Sequence, residues 1–222
     1  MSAYKGLLSL SLSPKPRVCV ESGTYQGESA LLFTEYFGHV HTIELSPKWY
    51  DYSRERLKDR ENITCHFGDS AVVLKDLTKQ IEEPVFYYLD AHFAGGDTAF
   101  GDKEVPLVEE LTEIAARPYA DVIVIDDMRL VGKAGVSGDD GNLIYSKMEY
   151  DWRDITLDKI AEITGRGLRN AWFFKGDRLV IFRNRSLLSG TLLRFWIIFG
   201  RTIDYGLVKP IKKVINLFRR KK

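Results

Sequence analysis

Three observations predict an α/β fold with a doubly wound, mostly parallel sheet. Five short apolar runs, rich in β-branched and aromatic residues, are each followed by a segment of helical spacing. Strand and helix alternating in this way call for parallel strands covered on both faces. The pattern then changes, because the last two apolar runs are separated only by Lys175-Gly176-Asp177, whose Gly-Asp step reads as a hairpin turn.

The first expected strand covers residues 17–21 (Arg17-Val18-Cys19-Val20-Glu21) and closes on Gly23, and the first helix covers 28–37. A second strand at 40–44 leads to a helix at 47–58 with Pro47 near its start, where its fixed φ is tolerated. Strands at 63–67, 85–90 and 122–126 alternate with helices at 71–80 and 107–116. A helix at 155–164 then precedes the two hairpin strands, 170–174 and 178–182. This order describes a Rossmann-like sheet that ends in an antiparallel hairpin.

The 222 residues, 45% hydrophobic and 28% charged, suit one folded domain with an appendage and exclude a disordered or fibrous chain. The net charge of +1 hides an asymmetry. Residues 187–222 hold nine basic residues and one acid, whereas the other 186 residues hold 23 basic and 30 acidic. We therefore divide the chain into a catalytic-type domain, 1–186, and a basic tail, 187–222. Cys19 and Cys65 cannot form a disulfide framework and read as free thiols in a reducing compartment. Residues 1–13 lack a cleavage pattern, and no stretch reaches about 18 consecutive apolar residues, so a cytoplasmic body is expected.

In such a sheet, ligands bind beyond the carboxyl ends of the strands. The first strand is followed by Glu21-Ser22-Gly23-Thr24-Tyr25-Gln26-Gly27-Glu28-Ser29, a turn with two glycines that suits close approach of a ligand. Its glycines are four apart, so the G-x-G-x-x-G dinucleotide fingerprint is absent, as is a P-loop. Glu44 ends the second strand, where an acid can accept from ribose hydroxyls, and Gly68-Asp69-Ser70 follows the third, where an acceptor can hold an adenine amino group.

These residues resemble the motifs of class I S-adenosylmethionine-dependent methyltransferases over about residues 16–184. The resemblance implies S-adenosylmethionine as cofactor, held by Glu21, Gly23, Thr24, Tyr25, Gly27, Ser29, Glu44, Asp69, Ser70 and Asp90. A nicotinamide-dependent oxidoreductase is the competing enzyme class, and a non-catalytic, membrane-recruited binding module on the same fold is the competing non-enzyme class.

The fourth and fifth strands end in Leu89-Asp90-Ala91-His92 and Ile125-Asp126-Asp127. Adjacent strands lie about 4.8 Å apart, so these ends can converge. Three clustered carboxylates would repel unless a hard cation relieved them, and oxygen ligands suit Mg²⁺, which can activate a substrate hydroxyl. The arrangement resembles metal-dependent O-methyltransferases of the catechol type and, more closely, the sugar O-methyltransferases related to the macrocin enzyme. That resemblance implies Asp90, Asp126 and Asp127 as ligands and a sugar or glycan acceptor. Catechol-type enzymes carry a Lys three residues after the strand-four Asp, where this chain has Phe93, and sugar-type enzymes carry a carboxylate two residues after it, where this chain has His92. His92, beside Asp90, is the candidate base, since imidazole can remove the proton. The alternative is that it packs under a loop or orients Asp90. His39, His41 and His66 read as structural packing. Residues 94–102 and 132–152 read as long loops, the second with aromatics that suit a sugar.

The tail reads as two amphipathic helices. Leu207, Ile211, Val214, Ile215 and Phe218 keep helical spacing among Lys and Arg, and Trp196 lies in a shorter apolar run. This pattern suits the anionic inner face of a membrane, the alternative being a dimerising or domain-covering helix pair. Nucleic acid fits poorly with an acidic body and an apolar tail.

Overall fold

The structure is a computed structural model and describes residues 15–92, 99, 101, 103–137, 148–165 and 170–184. Along the chain run β1 (Val18–Ser22), α1 (Glu28–Phe33), β2 (His39–Glu44), α2 (Pro47–Leu57), β3 (Ile63–Phe67), α3 (Ser70–Gln80) and β4 (Val85–Leu89). They are followed by α4 (Leu107–Ala115), β5 (Val122–Ile125), β6 (Ala134–Ser137), β7 (Met148–Asp151), α5 (Leu157–Thr164), β8 (Ala171–Lys175) and β9 (Arg178–Phe182). Seven strands form one sheet in the order β3-β2-β1-β4-β5-β9-β8, and β6 pairs with β7 separately. The first five strands of that order are parallel, while β9 is antiparallel to both β5 and β8.

Alternation along each strand divides the core in two. Val20, Tyr87, Leu89, Ile123 and Ile181 face Leu74 of α3, Leu111 and Ile114 of α4 and Ile160 of α5. Cys19, Phe86, Tyr88, Val124 and Val180 face Ala30 and Phe33 of α1 and Leu57 of α2. The central strands are buried on both sides, which is why they read as continuous apolar runs rather than alternating ones. Period two then fixes the strand-end residues. Glu21 and Thr42 lie on the α1–α2 side, and Ser22 lies on the α3–α4 side.

Two expectations need correction. The first helix is shorter than 28–37, because turns follow Phe33 and Gly38 N donates to Arg17 O at 2.7 Å, drawing the chain into β2. Residues 132–152 are not wholly loop, since β6 and β7 form a hairpin that is too short and too exposed to show as an apolar run. The tail helices expected in 187–222, residues 1–14 and most of the 94–102 loop lie outside the described residues. No helix among the described residues is long and apolar enough to cross a membrane. Cys19 and Cys65 are free thiols.

Candidate functional site

The strand order reverses between β1 and β4, which creates a crevice beyond their carboxyl ends. At its centre Gly23, with φ +86°, packs against the end of β4, and a Cβ there would lie 2.6 Å from the Asp90 carbonyl oxygen. Glycine is required at this point by backbone contact as well as by its left-handed conformation. The turn continues with Gly27 N donating to Thr24 O at 2.8 Å.

Two acids lie under this turn. Both Glu44 oxygens are engaged, accepting from Tyr25 N at 2.7 Å and Ser46 N at 2.8 Å, and each keeps a lone pair for a further donor. Tyr25 itself has φ +48°, an uncommon conformation for a non-glycine residue, and its exposed ring tilts against Trp49 at 4.2 Å. Glu21 is buried and accepts from Thr42 Oγ1 at 2.7 Å, and that hydroxyl in turn lies 2.6 Å from Thr24 Oγ1. Its other oxygen, Oε1, has no partner among the described residues. Burial pushes the Glu21 carboxyl up to about 7, against the pull of the Ser29 and Thr42 hydroxyls. The Thr24 hydroxyl is thus linked to Glu21 through Thr42. Asp69 caps α3 by accepting from Ala71 N at 2.9 Å, and Gly101 stands over its Oδ2. The Ser70 side chain is buried beside Glu110, and its hydroxyl has no close hydrogen-bond partner among the described residues.

The other half of the crevice is built on β4 and β5. His92 Nε2 lies 3.2 Å from Asp127 Oδ2, and His92 Nδ1 lies 3.6 Å from Asp90 Oδ1. The imidazole meets Trp152 edge-on, with ring centroids 5.3 Å apart. Burial holds His92 below its ordinary pKa despite the attraction of Asp127. Loss of solvent raises Asp90 well above the usual carboxylate range, and the charges of Asp126, Asp127 and Glu21 push it further against the pull of Arg178.

The expected ligand trio of Asp90, Asp126 and Asp127 does not converge as one set among the described residues. Two overlapping sets do, Asp90–His92–Asp127 and Asp126–Asp127–Asp177, the members of each offering atoms within 4.8 Å of one another. The acids are not unbalanced either. Asp126 Oδ2 accepts from Tyr88 Oη and from Arg178 Nη2 at 2.8 Å, while Asp126 Oδ1 accepts from Asp127 N at 2.9 Å. Asp127, with φ +56°, pairs with Arg129, which also reaches Asp177 in the β8–β9 turn. Arg129 was readable two residues from Asp127. Arg178 was not, because only the Ile125–Leu179 pairing of β5 with β9 brings it to Asp126.

A further residue was missed. Glu110 in α4 is buried, lies close to Ser22 and Ser70, and leaves Oε1 without a hydrogen-bond partner among the described residues. Burial raises its carboxyl to about 7, the two serine hydroxyls opposing the shift. Its position in the apolar stripe Leu107, Glu110, Leu111, Ile114 is the signal in the sequence that could have found it. Glu110 lines a cavity of about 10 Å³ together with Asp90, His92, Asp126 and Trp152. Among the described residues His39, His41 and His66 join no metal-type set. His41 Nδ1 lies 3.0 Å from His66 Nε2, and His39 Nε2 lies 2.9 Å from Thr64 Oγ1, so they tie β2 to β3.

No protein-family model matches the sequence, and no curated protein matches it. Solved structures do. A Podospora anserina methyltransferase with S-adenosylhomocysteine (SAH) bound, PaMTH1, is similar at TM-score 0.52 and 20% identity, over 78% of this chain and 74% of that one. DesVI of Streptomyces venezuelae is similar at TM-score 0.53 and 16% identity, over 82% and 91%. A Pyrococcus horikoshii protein gives TM-score 0.50 and 13% identity, over 83% and 89%. At these identities the likeness establishes the fold, which is the Rossmann-like methyltransferase fold.

Proposed function

We propose that the chain is an S-adenosylmethionine-dependent methyltransferase acting on a hydroxyl of a sugar or glycan acceptor. The observation that carries this reading is the contact of Gly23 with Asp90, which joins the acid-lined turn to His92 and Asp127. The residues fit the cofactor, since Glu21 Oε1 is a buried acceptor beside the turn with no partner among the described residues and Glu44, at the end of β2, keeps lone pairs for ribose hydroxyls. S-adenosylmethionine supplies an electrophilic methyl group on a sulfonium. Glu44 would accept from the ribose hydroxyls, Asp69 Oδ2 from the adenine amino group, and Glu21 Oε1 from the ammonium. With His92 Nε2–H donated to Asp127, Nδ1 would carry the lone pair and take the acceptor's proton as its oxygen bonds to the methyl carbon, the methyl–sulfur bond breaks and SAH leaves. Trp152 packs edge-on against one side of the imidazole.

A second reading adds a divalent cation, favoured by the Asp90–His92–Asp127 set. One nitrogen and two carboxylates suit Mn²⁺ at least as well as Mg²⁺, which prefers oxygen. Such an ion would supply charge to lower the hydroxyl's pKa, and His92 would then be a ligand, not the base. The tail is proposed to bring the enzyme to anionic lipid, on the strength of its charge and spacing alone.

Calorimetry with SAH against NAD separates a methyltransferase from a nicotinamide enzyme, and turnover on a library of hydroxylated acceptors separates both from a binding module. Excess EDTA decides between the metal-free and metal-assisted readings. In the metal-free case His92→Ala lowers turnover by about 10²–10⁴-fold.

A further inference from the structure

Two buried polar atoms left without partners belong to residues that line the same cavity. Among the described residues Trp152 Nε1 is a donor without an acceptor and Glu110 Oε1 an acceptor without a donor, and the Ser22 and Ser70 hydroxyls that ease the Glu110 carboxyl do not line this cavity. Both residues line the cavity next to His92, whose volume of about 10 Å³ holds one group the size of a water molecule. Buried polar atoms in native structures are almost always paired, so two orphans of opposite kind at one small cavity mark a place for a guest. The guest must accept from an indole N–H and donate to a carboxyl oxygen. A hydroxyl does both, whereas an ammonium cannot accept, an ether cannot donate and a methyl group does neither.

We propose that this cavity seats a second hydroxyl of the acceptor, between Trp152 Nε1 and Glu110 Oε1, while His92 faces the hydroxyl to be methylated. The proposal rests on the methyltransferase reading and narrows it. The acceptor is a polyhydroxylated molecule, carrying one hydroxyl as an anchor and another as the nucleophile. Trp152 and Glu110 determine specificity and take no part in the proton transfer. Neither comes from the strand ends where the cofactor residues lie. Trp152 follows β7 and Glu110 belongs to α4, so the anchor approaches from the α4 side of the crevice. The Trp152 ring, edge-on to His92, sets the spacing between anchor and base.

The test uses the full-length protein and a panel of methyl glycosides with their monodeoxy counterparts, titrated by calorimetry with and without SAH. Wild type should bind at least one glycoside, and should bind the deoxy form lacking the seated hydroxyl about tenfold more weakly, the usual effect of one buried hydrogen bond. Trp152→Phe keeps the ring and removes the donor, and it should weaken the parent glycoside to the level of the deoxy form and no longer distinguish the two. Glu110→Met, close in size and without an acceptor oxygen, should reduce the same preference, so the proposal stays testable if Trp152→Phe fails to fold. SAH affinity should be unchanged in both variants. Glycoside binding with an undiminished deoxy preference in both variants overturns the proposal. So does failure of the whole panel to bind, tighter binding of a simple amine such as cyclohexylamine, or a crystal structure with glycoside bound in which a water still occupies the cavity. Failure of wild type to bind SAH counts instead against the methyltransferase reading and shows in a separate arm.

Discussion

The two ends of the central sheet carry the same kinds of charged residue and treat them in opposite ways. At the amino end, Asp121 Oδ1 accepts from Val85 N at 2.9 Å and Oδ2 from Arg117 Nε at 3.2 Å. The remaining Arg117 nitrogens donate to the carbonyls of Thr78, Ile81 and Glu83, closing the end of α3, and Arg183 donates to those of Ile114 and Ala115 at the end of α4. Cations there complete helix carbonyls that would otherwise be orphaned. At the carboxyl end, Glu21 Oε1, Glu110 Oε1, Ser22 Oγ, Ser70 Oγ and Trp152 Nε1 are buried without partners among the described residues, against Arg183 Nε and Tyr87 Oη at the amino end, so the ends differ in degree. One end uses its buried charges to hold the fold. The other keeps polar groups unsatisfied where a ligand would satisfy them, at the expense of stability.

The largest effect expected is at the amino end. Arg117→Met leaves Asp121 as a buried charge with less compensation and uncaps three carbonyls, so unfolding in urea should show a loss of about 3–5 kcal/mol. The folded fraction should bind SAH as wild type does. A loss below 1 kcal/mol would break the contrast.

Charge removal at the carboxyl end should have the opposite sign. Glu21 and Glu110 are each raised from 4.5 to about 7 by burial, so the fold favours their protonated forms. Their contribution to stability is fully present below pH 4.5 and is lost as pH rises through about 7. Glu110→Gln or Glu21→Gln should therefore gain on wild type between those limits, by up to roughly 3 kcal/mol at pH 8, at about 1.4 kcal/mol per pH unit. Urea unfolding from pH 4.5 to 8 measures it, and a difference independent of pH would show that the carboxyls are ionised in the fold.

Glu44 tests whether the unsatisfied end is a cofactor end. Glu44→Ala should weaken SAH by about 1.5–3 kcal/mol, the range for a hydrogen bond to a charged group. Unchanged affinity in a folded variant would remove Glu44 from the ribose position.

How much of this contrast the sequence disclosed follows from the physics of each part. Strands buried on both faces are conspicuous as apolar runs, so β1 to β5 were readable, and their order made Glu44, Asp90, His92 and Asp127 readable as strand-end residues. The hairpin β6–β7 was not, because exposed strands of four residues carry no apolar alternation. Glu109 and Glu110 look alike as first-turn acids, yet only Glu110 falls on the apolar stripe of α4, and it alone is buried. Arg178 and Asp177 reach the site through antiparallel pairing across more than fifty residues, a relation that local spacing does not encode.

Asp177 gives the smallest effect and the sharpest test of what the carboxyl-end charges do. Its carboxyl, a third exposed, accepts from Arg129 N at 2.7 Å and from the Arg129 guanidinium, which also holds Asp127. Asp177→Ala removes partly solvated contacts, so stability should fall by no more than about 1 kcal/mol. Arg129 then loses its anchor, and Asp127, held at a positive φ beside His92, loses part of its orientation. Turnover should fall by about tenfold, since small misplacement of a catalytic group is costly. SAH affinity should not change. If Asp177 acts by orienting Asp127, the same tenfold loss persists in excess EDTA. If Asp177 serves instead as a cation ligand with Asp126 and Asp127, EDTA lowers wild type to the level of the variant and leaves the variant unchanged. At the amino end a mutation of this kind should move stability and leave chemistry alone, so an Asp177→Ala that destabilises strongly and spares turnover would make the two ends the same.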